Sequence, residues 1–179
     1  IGESWLSDKI SNWENNLDKD LSLAYLPSIG RVKLRLTGKG DDISKLKVKV
    51  KKEEKNLVSL INKYIYGYDN DELENVVGNF LTKTNKTISV AESCTGGNIS
   101  SLITSVPGSS KYFTGGIVAY SNEIKINSLG IDQDTLNKYG AVSKEVAEQM
   151  AKNIRIRFNS SIGISSTGIA GPSGGTKEK

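Results

Sequence analysis

Residues 87–97 read Thr87-Ile88-Ser89-Val90-Ala91-Glu92-Ser93-Cys94-Thr95-Gly96-Gly97, and Ile99, Leu102 and Ile103 follow at helical spacing. Thr87 to Ala91 predicts a short buried strand, the glycines a tight turn, and the apolar periodicity a helix. A second strand, Ser161 to Ser165, is also expected to be buried and opens into another small-residue loop, Thr167-Gly168-Ile169-Ala170-Gly171-Pro172-Ser173-Gly174-Gly175. Between them, Tyr112 to Tyr120 predicts a strand and Asn122 to Leu129 a short helix. Ser143 caps a helix that carries Val146, Ala147, Met150, Ile154 and Phe158. Upstream, Asp69-Asn70-Asp71 is read as the cap of a helix with Leu73, Val76, Val77, Phe80 and Leu81 on one face. Strands alternating with helices predict an α/β layered fold. Ligands of such sheets bind beyond the carboxyl ends of the strands, so the loops at 92–97 and 166–175 are expected to face one crevice.

Residues 1–68 read differently. Trp5, Ile10, Trp13 and Leu17 predict an amphipathic helix, and Leu21, Leu23 and Tyr25 alternate before a turn at Pro27 to Gly30. Val32, Leu34 and Leu36 alternate with Lys33 and Arg35 as a half-buried strand. Asp41-Asp42 can cap a helix continuing to about Lys63, although Leu46, Val48 and Val50 alternate as a strand would. Residues 31–55 hold ten basic against four acidic side chains, a net charge of +6 within a chain of net +4. Such a segment raises the possibility of phosphate contacts with nucleic acid. Against that, the GxxG loop that clamps nucleic acid is absent, and aromatic residues are poorly interleaved.

Bulk composition narrows the chemistry. With 179 residues, 36% of them hydrophobic, there is room for a small domain joined to a medium one. No apolar run reaches the roughly 18–20 residues needed to span a bilayer. The single cysteine, Cys94, cannot form an internal disulfide, which fits a reducing cytoplasm. Histidine is absent altogether. This excludes Ser-His-Asp and Cys-His arrangements and disfavours a metal site, leaving Lys, Tyr, Asp and Glu for acid-base work. The first residue is Ile and the last six read Gly-Gly-Thr-Lys-Glu-Lys, so both ends are expected to be cuts through a longer protein.

Ser93 sits where the strand gives way to the turn, a position from which a hydroxyl can project beside backbone amides. Those amides suit an oxyanion or a phosphate. A serine nucleophile needs a base, and without histidine the natural one is a desolvated lysine. Lys125, in Tyr120-Ser121-Asn122-Glu123-Ile124-Lys125, is the best candidate. Read alone, each feature also has an ordinary meaning. A serine ahead of a helix is usually its N-cap, and a lysine on a short helix is usually solvated.

Five blocks in order change the weighing. Ala91 to Gly97, Pro107 to Ser110, Gly115 to Lys125, Tyr139 to Ser143 and Thr167 to Pro172 resemble the signatures of the CinA C-terminal family. This is the competence/damage-inducible group that includes nicotinamide-nucleotide amidases. Residues 1–68, ending in Tyr64-Ile65-Tyr66-Gly67, resemble the family's KH-like linker. The resemblance implies a small α+β KH-like domain at 1–68, without the N-terminal molybdopterin-binding-like domain, then a three-layer α/β/α amidase domain at 69–179 that is incomplete at its C-terminus. It implies a cytoplasmic enzyme of the pyridine nucleotide cycle that hydrolyses nicotinamide mononucleotide to nicotinate mononucleotide and ammonia. It implies no metal or other cofactor, a homo-oligomer, and neither nucleic acid nor membrane as partner. Carried over by position, Ser93 attacks, Lys125 takes its proton, and Tyr120 joins the catalytic group. Thr95, Gly96, Gly97, Asn122, Thr167, Gly168 and Gly171 line the substrate site. The alternatives are a non-catalytic scaffold and a nucleic-acid-binding module, both tied to competence or DNA damage.

Overall fold

A computed structural model of the chain describes residues 1–171, in two compact units, Ile1–Tyr68 and a second that begins at Asp69. Pro172 to Gly175 of the second glycine-rich loop lie outside the described residues.

The first unit runs α1 (Glu3–Asn15), β1 (Leu21–Ser28), β2 (Arg31–Gly38), α2 (Ile43–Ile61) and a 3₁₀ turn (Asn62–Tyr64). β1 and β2 pair antiparallel from Leu21↔Gly38 to Ser28↔Arg31, closed by Ile29 and Gly30, whose φ of 77° suits glycine. Alternation sends Leu23, Tyr25, Val32 and Leu34 into a core with Leu6, Ile10 and Ile61, and leaves Arg31, Lys33 and Arg35 exposed. Trp5 is half exposed and sets its ring edge against Tyr64, while Leu6 takes the buried position beside Ile10. Helix α2 is unbroken through Leu46, Val48 and Val50, against the strand-like alternation there. Asp42 caps it, accepting from the Lys45 amide at 3.0 Å. Leu46 and Val50, four residues apart, lie against Gly38, and Val48 faces solvent. Lys49 bridges Asp18 and Asp20 at 2.8 and 2.7 Å, and these bonds raise its pKa and lower that of Asp18.

The second unit runs α3 (Leu73–Lys83), β3 (Ile88–Glu92), α4 (Asn98–Thr104), β4 (Phe113–Val118), α5 (Asn122–Leu129), α6 (Gln133–Tyr139), α7 (Lys144–Arg157) and β5 (Ile162–Ser166). The strands form one parallel sheet in the order β4-β3-β5. β3 is central and buried throughout, with alternate residues feeding opposite layers. Ile88 and Val90 pack with Leu81, Ile103 and Tyr112 on the α3–α4 side, and Ala91 packs with Leu129, Val146, Met150 and Ile154 on the α5–α7 side. This is the three-layer α/β/α architecture. Glycine permits two close approaches: a Cβ on Gly163 would strike the Ala151 carbonyl of α7, and one on Gly116 would meet Ser100 Oγ of α4.

Three local readings are corrected. The cap position of α3 is Glu72 rather than the 69–71 stretch. The α6 helix, started by Asp132 accepting from the Thr135 amide at 2.9 Å, was not read from the sequence. β5 is half-buried along its length. No helix among the described residues is long and apolar enough to cross a membrane.

Candidate active site

The parallel pairing of β3 with β5 brings their two carboxyl-end loops together. The Ser93 amide donates to the Ser166 carbonyl at 3.0 Å, extending the ladder by one bond past the strand end. A Cβ on Gly168 would meet Cys94 Sγ at 3.2 Å, so the second loop lies against the first.

Lys125 reaches this point from α5. Ser121 caps that helix, its Oγ accepting from the Ile124 amide at 3.2 Å. Lys125 follows in the first turns, its own amide bonded to the Ser121 carbonyl at 3.1 Å. The side chain is only 2% exposed, an unusual setting for a lysine. Its Nζ lies 2.9 Å from Ser93 Oγ, 2.8 Å from the Ala119 carbonyl and 3.3 Å from the Tyr120 carbonyl. Burial pushes Lys125 below the usual lysine pKa, with the neighbouring Cys94 sulfur opposing. Three neutral acceptors match the three protons of an ammonium. A neutral amine keeps two N–H bonds on the carbonyls and turns its lone pair to the Ser93 hydroxyl. The cage therefore serves both states of a base.

Ser93 is not the cap of α4. Four turn residues separate it from the helix, whose cap position is Gly97 at φ 100°. The group that satisfies the helix start is Glu92, fully buried at the end of β3. Its Oε2 accepts from Thr95 Oγ1 at 2.7 Å, the Gly97 amide at 3.1 Å and the Ile99 amide at 2.9 Å. Its Oε1 accepts from the Ser100 amide at 2.8 Å and Ser100 Oγ at 2.7 Å. Burial raises the pKa of this carboxyl, but the bonds from Ser100, Thr95 and Ile99 outweigh it and hold the group below its ordinary value. Sequence reasoning missed Glu92. The available signal was a carboxylate closing a strand expected to be buried, because such a group must be partnered once buried.

Glu92 also revises the expectation for the turn's amides. Those of Gly97, Ile99 and Ser100 are committed to it or to its helix. The Gly96 and Asn98 amides close the turn onto the Ser93 and Thr95 carbonyls. Among the described residues this leaves the Cys94 and Thr95 amides of the turn without a protein acceptor.

The other sequence-derived positions divide into two groups. Thr95 and Thr167 serve the frame. Thr95 Oγ1, already donating to Glu92, accepts from Ser166 Oγ at 2.6 Å, and Thr167 Oγ1 donates to the Ala141 carbonyl at 2.8 Å. Gly96 (φ 58°) and Gly97 shape the turn, where a side chain would be strained. Tyr120 is 75% exposed and meets Lys125 only through its carbonyl. Its hydroxyl is not brought to Ser93 or Lys125. Asn122 and Gly171 are exposed, and Gly168 is half-buried against Cys94.

Both units resemble domains of known proteins. Residues 70–179 match the CinA C-terminal domain, and residues 1–67 match the damage-inducible protein CinA KH domain. A CinA-like protein of Cytophaga hutchinsonii is 50% identical over 179 residues, 100% of this chain and 43% of that protein. A putative competence-damage inducible protein of Halothermothrix orenii is 49% identical, again over 100% of this chain and 43% of its own length. The chain thus spans less than half the length of these relatives. Among solved structures, the competence/damage inducible protein CihA from Agrobacterium tumefaciens has a TM-score of 0.58 at 39% identity, covering 64% of this chain and 70% of that one. A competence or damage-inducible protein from Enterobacter asburiae has a TM-score of 0.57 at 35% identity, covering 58% and 65%. With both of its units matched in order, the chain belongs to the CinA family.

Proposed function

We propose that the second unit is a nicotinamide-nucleotide amidase working by a Ser-Lys mechanism. The observation that carries this reading is the 2.9 Å contact between Lys125 Nζ and Ser93 Oγ, made by a buried lysine with no ion-pair partner among the described residues. Holding such a group costs stability, and pKa-lowering burial beside a hydroxyl is what a general base requires. A scaffold gains nothing from it.

Neutral Lys125 takes the Ser93 proton as Oγ attacks the carboxamide carbon. The carbonyl oxygen becomes an oxyanion, received by the Cys94 and Thr95 amides. Lys125, now an ammonium, returns the proton to the amide nitrogen. Ammonia leaves, and the nicotinoyl group remains as an ester on Ser93. Water, deprotonated by Lys125, hydrolyses that ester to nicotinate mononucleotide and restores the serine. The step sequence consumes one water and uses no metal. Because Glu92 occupies the start of α4, the substrate phosphate is held elsewhere, with the exposed Tyr120, Asn122 and the 168–171 loop as the groups at hand. With this reading goes the expectation of a cytoplasmic homo-oligomer acting on a small molecule.

The test is ammonia release from nicotinamide mononucleotide by the chain and by Ser93→Ala and Lys125→Ala. Turnover that both substitutions abolish is expected. No turnover by a full-length protein containing this chain would remove the amidase reading.

A further inference from the structure

We propose that Glu92 is the positioning residue of the Ser93 nucleophile: its carboxylate is an internal anion around which the 93–97 turn is wound. The inference rests on Ser93 being the nucleophile. Thr95, Gly97, Ile99 and Ser100 all direct donors at this one side chain, at 2.7 to 3.1 Å, and it has no exposure to solvent. Ser93 is held between that knot and the sheet: Glu92 precedes it in β3, and its own amide is tied to Ser166. Ser166 is in turn bonded through its hydroxyl to Thr95, so the carboxylate, the turn and β5 form one connected network. The Glu92 carbonyl extends that network to the general-base side, accepting from the Ala119 amide at 2.7 Å, while the Ala119 carbonyl accepts from Lys125. One residue thereby couples the turn carrying the nucleophile to the strand end that holds the base. By drawing the Gly97, Ile99 and Ser100 donors inward, it leaves the Cys94 and Thr95 amides as the unspent donors beside Ser93. Glu92 touches neither the serine hydroxyl nor Lys125 through its side chain, so its part in the chemistry is to hold others in place.

The experiment reads Ser93 directly, without the natural substrate. Phenylmethanesulfonyl fluoride forms an Oγ–S bond with an activated serine and releases fluoride, the serine proton passing to the base. The rate of the mass increase is followed on the intact chain, with Ser93→Ala as the blank. Glu92→Ala removes the anion and leaves a carboxylate-sized hole ringed by donors. Labelling is expected to fall about 100-fold, the loss typical of misplacing a reacting group by roughly an ångström. Sodium formate should restore it saturably in Glu92→Ala and leave the wild-type rate unchanged. In turnover of nicotinamide mononucleotide, kcat should fall while KM holds. Wild-type labelling by Glu92→Ala, or a folded Glu92→Ala that formate does not rescue, overturns the proposal. Should circular dichroism show Glu92→Ala unfolded, Glu92→Gln decides: its amide sets an N–H₂ group against the ring of donors, and a wild-type labelling rate there also overturns it. A wild-type chain that is labelled at Ser93 yet does not turn over nicotinamide mononucleotide sinks the amidase reading and leaves this one standing. A wild-type Ser93 that resists labelling sinks both.

Discussion

Replacing Lys125 by methionine keeps the buried stem and removes the amine, so it isolates the base. In the structure that amine meets only neutral oxygens, at 2.8 to 3.3 Å, and burial lowers its pKa. An ordinary lysine, of pKa about 10.4, is neutral to roughly one part in a thousand at pH 7.4. Each unit by which burial lowers that value makes the reactive form tenfold more abundant, about 1.4 kcal/mol at the barrier. The pH dependence of kcat/KM for nicotinamide mononucleotide should therefore rise with unit slope and level off below pH 10.4. Lys125→Met should be slower by about 10²–10⁴, equivalent to about 3–5 kcal/mol, and should lose the sloping limb. Stability carries the same signature. The folded pKa lies below the unfolded one, so unfolded chains bind the extra proton in the window between them. Stability rises with pH through that window and is lost as pH falls through the folded value. Ammonia release and urea midpoints across pH 6 to 10.5 measure both. A wild-type profile still climbing in proportion at the ordinary lysine pKa, or Lys125→Met activity within tenfold of wild type, would refute the assignment of Lys125 as base.

Glu92 predicts an acid limb: with its folded pKa held below the ordinary carboxyl value, its contribution is complete above that ordinary value and lost as pH falls through the folded one. The melting-temperature gap between wild type and Glu92→Gln should accordingly narrow on acidification from about pH 5 to 3, and a constant gap would contradict the charged state. Gly163→Ala should destabilise the second unit by roughly 1–3 kcal/mol in urea unfolding, because its Cβ meets the Ala151 carbonyl, a backbone atom that cannot swing aside. Ile10→Ala should destabilise the first unit by about 2–5 kcal/mol, since Ile10 is wholly buried among Leu6, Ile61 and the hairpin's inner face; a loss well under 1 kcal/mol would mean that this core collapses around the gap.

Much of the α/β order was legible because it rests on local periodicity and capping. Thr87 to Ala91, Asn122 to Leu129 and the Ser143 cap are readable from a few adjacent residues, and the structure has β3, α5 and α7 there. The short α6 offered too few turns to register as a period. The strand-like alternation of Leu46, Val48 and Val50 was overridden by the Asp42 cap and by packing of two of the three side chains on one helix face. Ser93 at a strand end, and lysine among the bases left to a chain without histidine, also follow from residue order and composition.

The sequence by itself determined which side chains the chemistry could use and which strand ends would carry them. Only the tertiary structure decided their states. Lys125 is a buried amine rather than a solvated cation at the surface because α5 sets it against carbonyls 5 and 6 residues upstream and a serine 32 residues upstream. The start of α4 is closed to outside anions because Glu92 already fills it. Thr95 and Thr167 spend their hydroxyls on the frame, on the Glu92 carboxylate and the Ala141 carbonyl. Desolvation and competition for hydrogen-bond donors depend on everything packed around a group, and no window of adjacent residues contains that information.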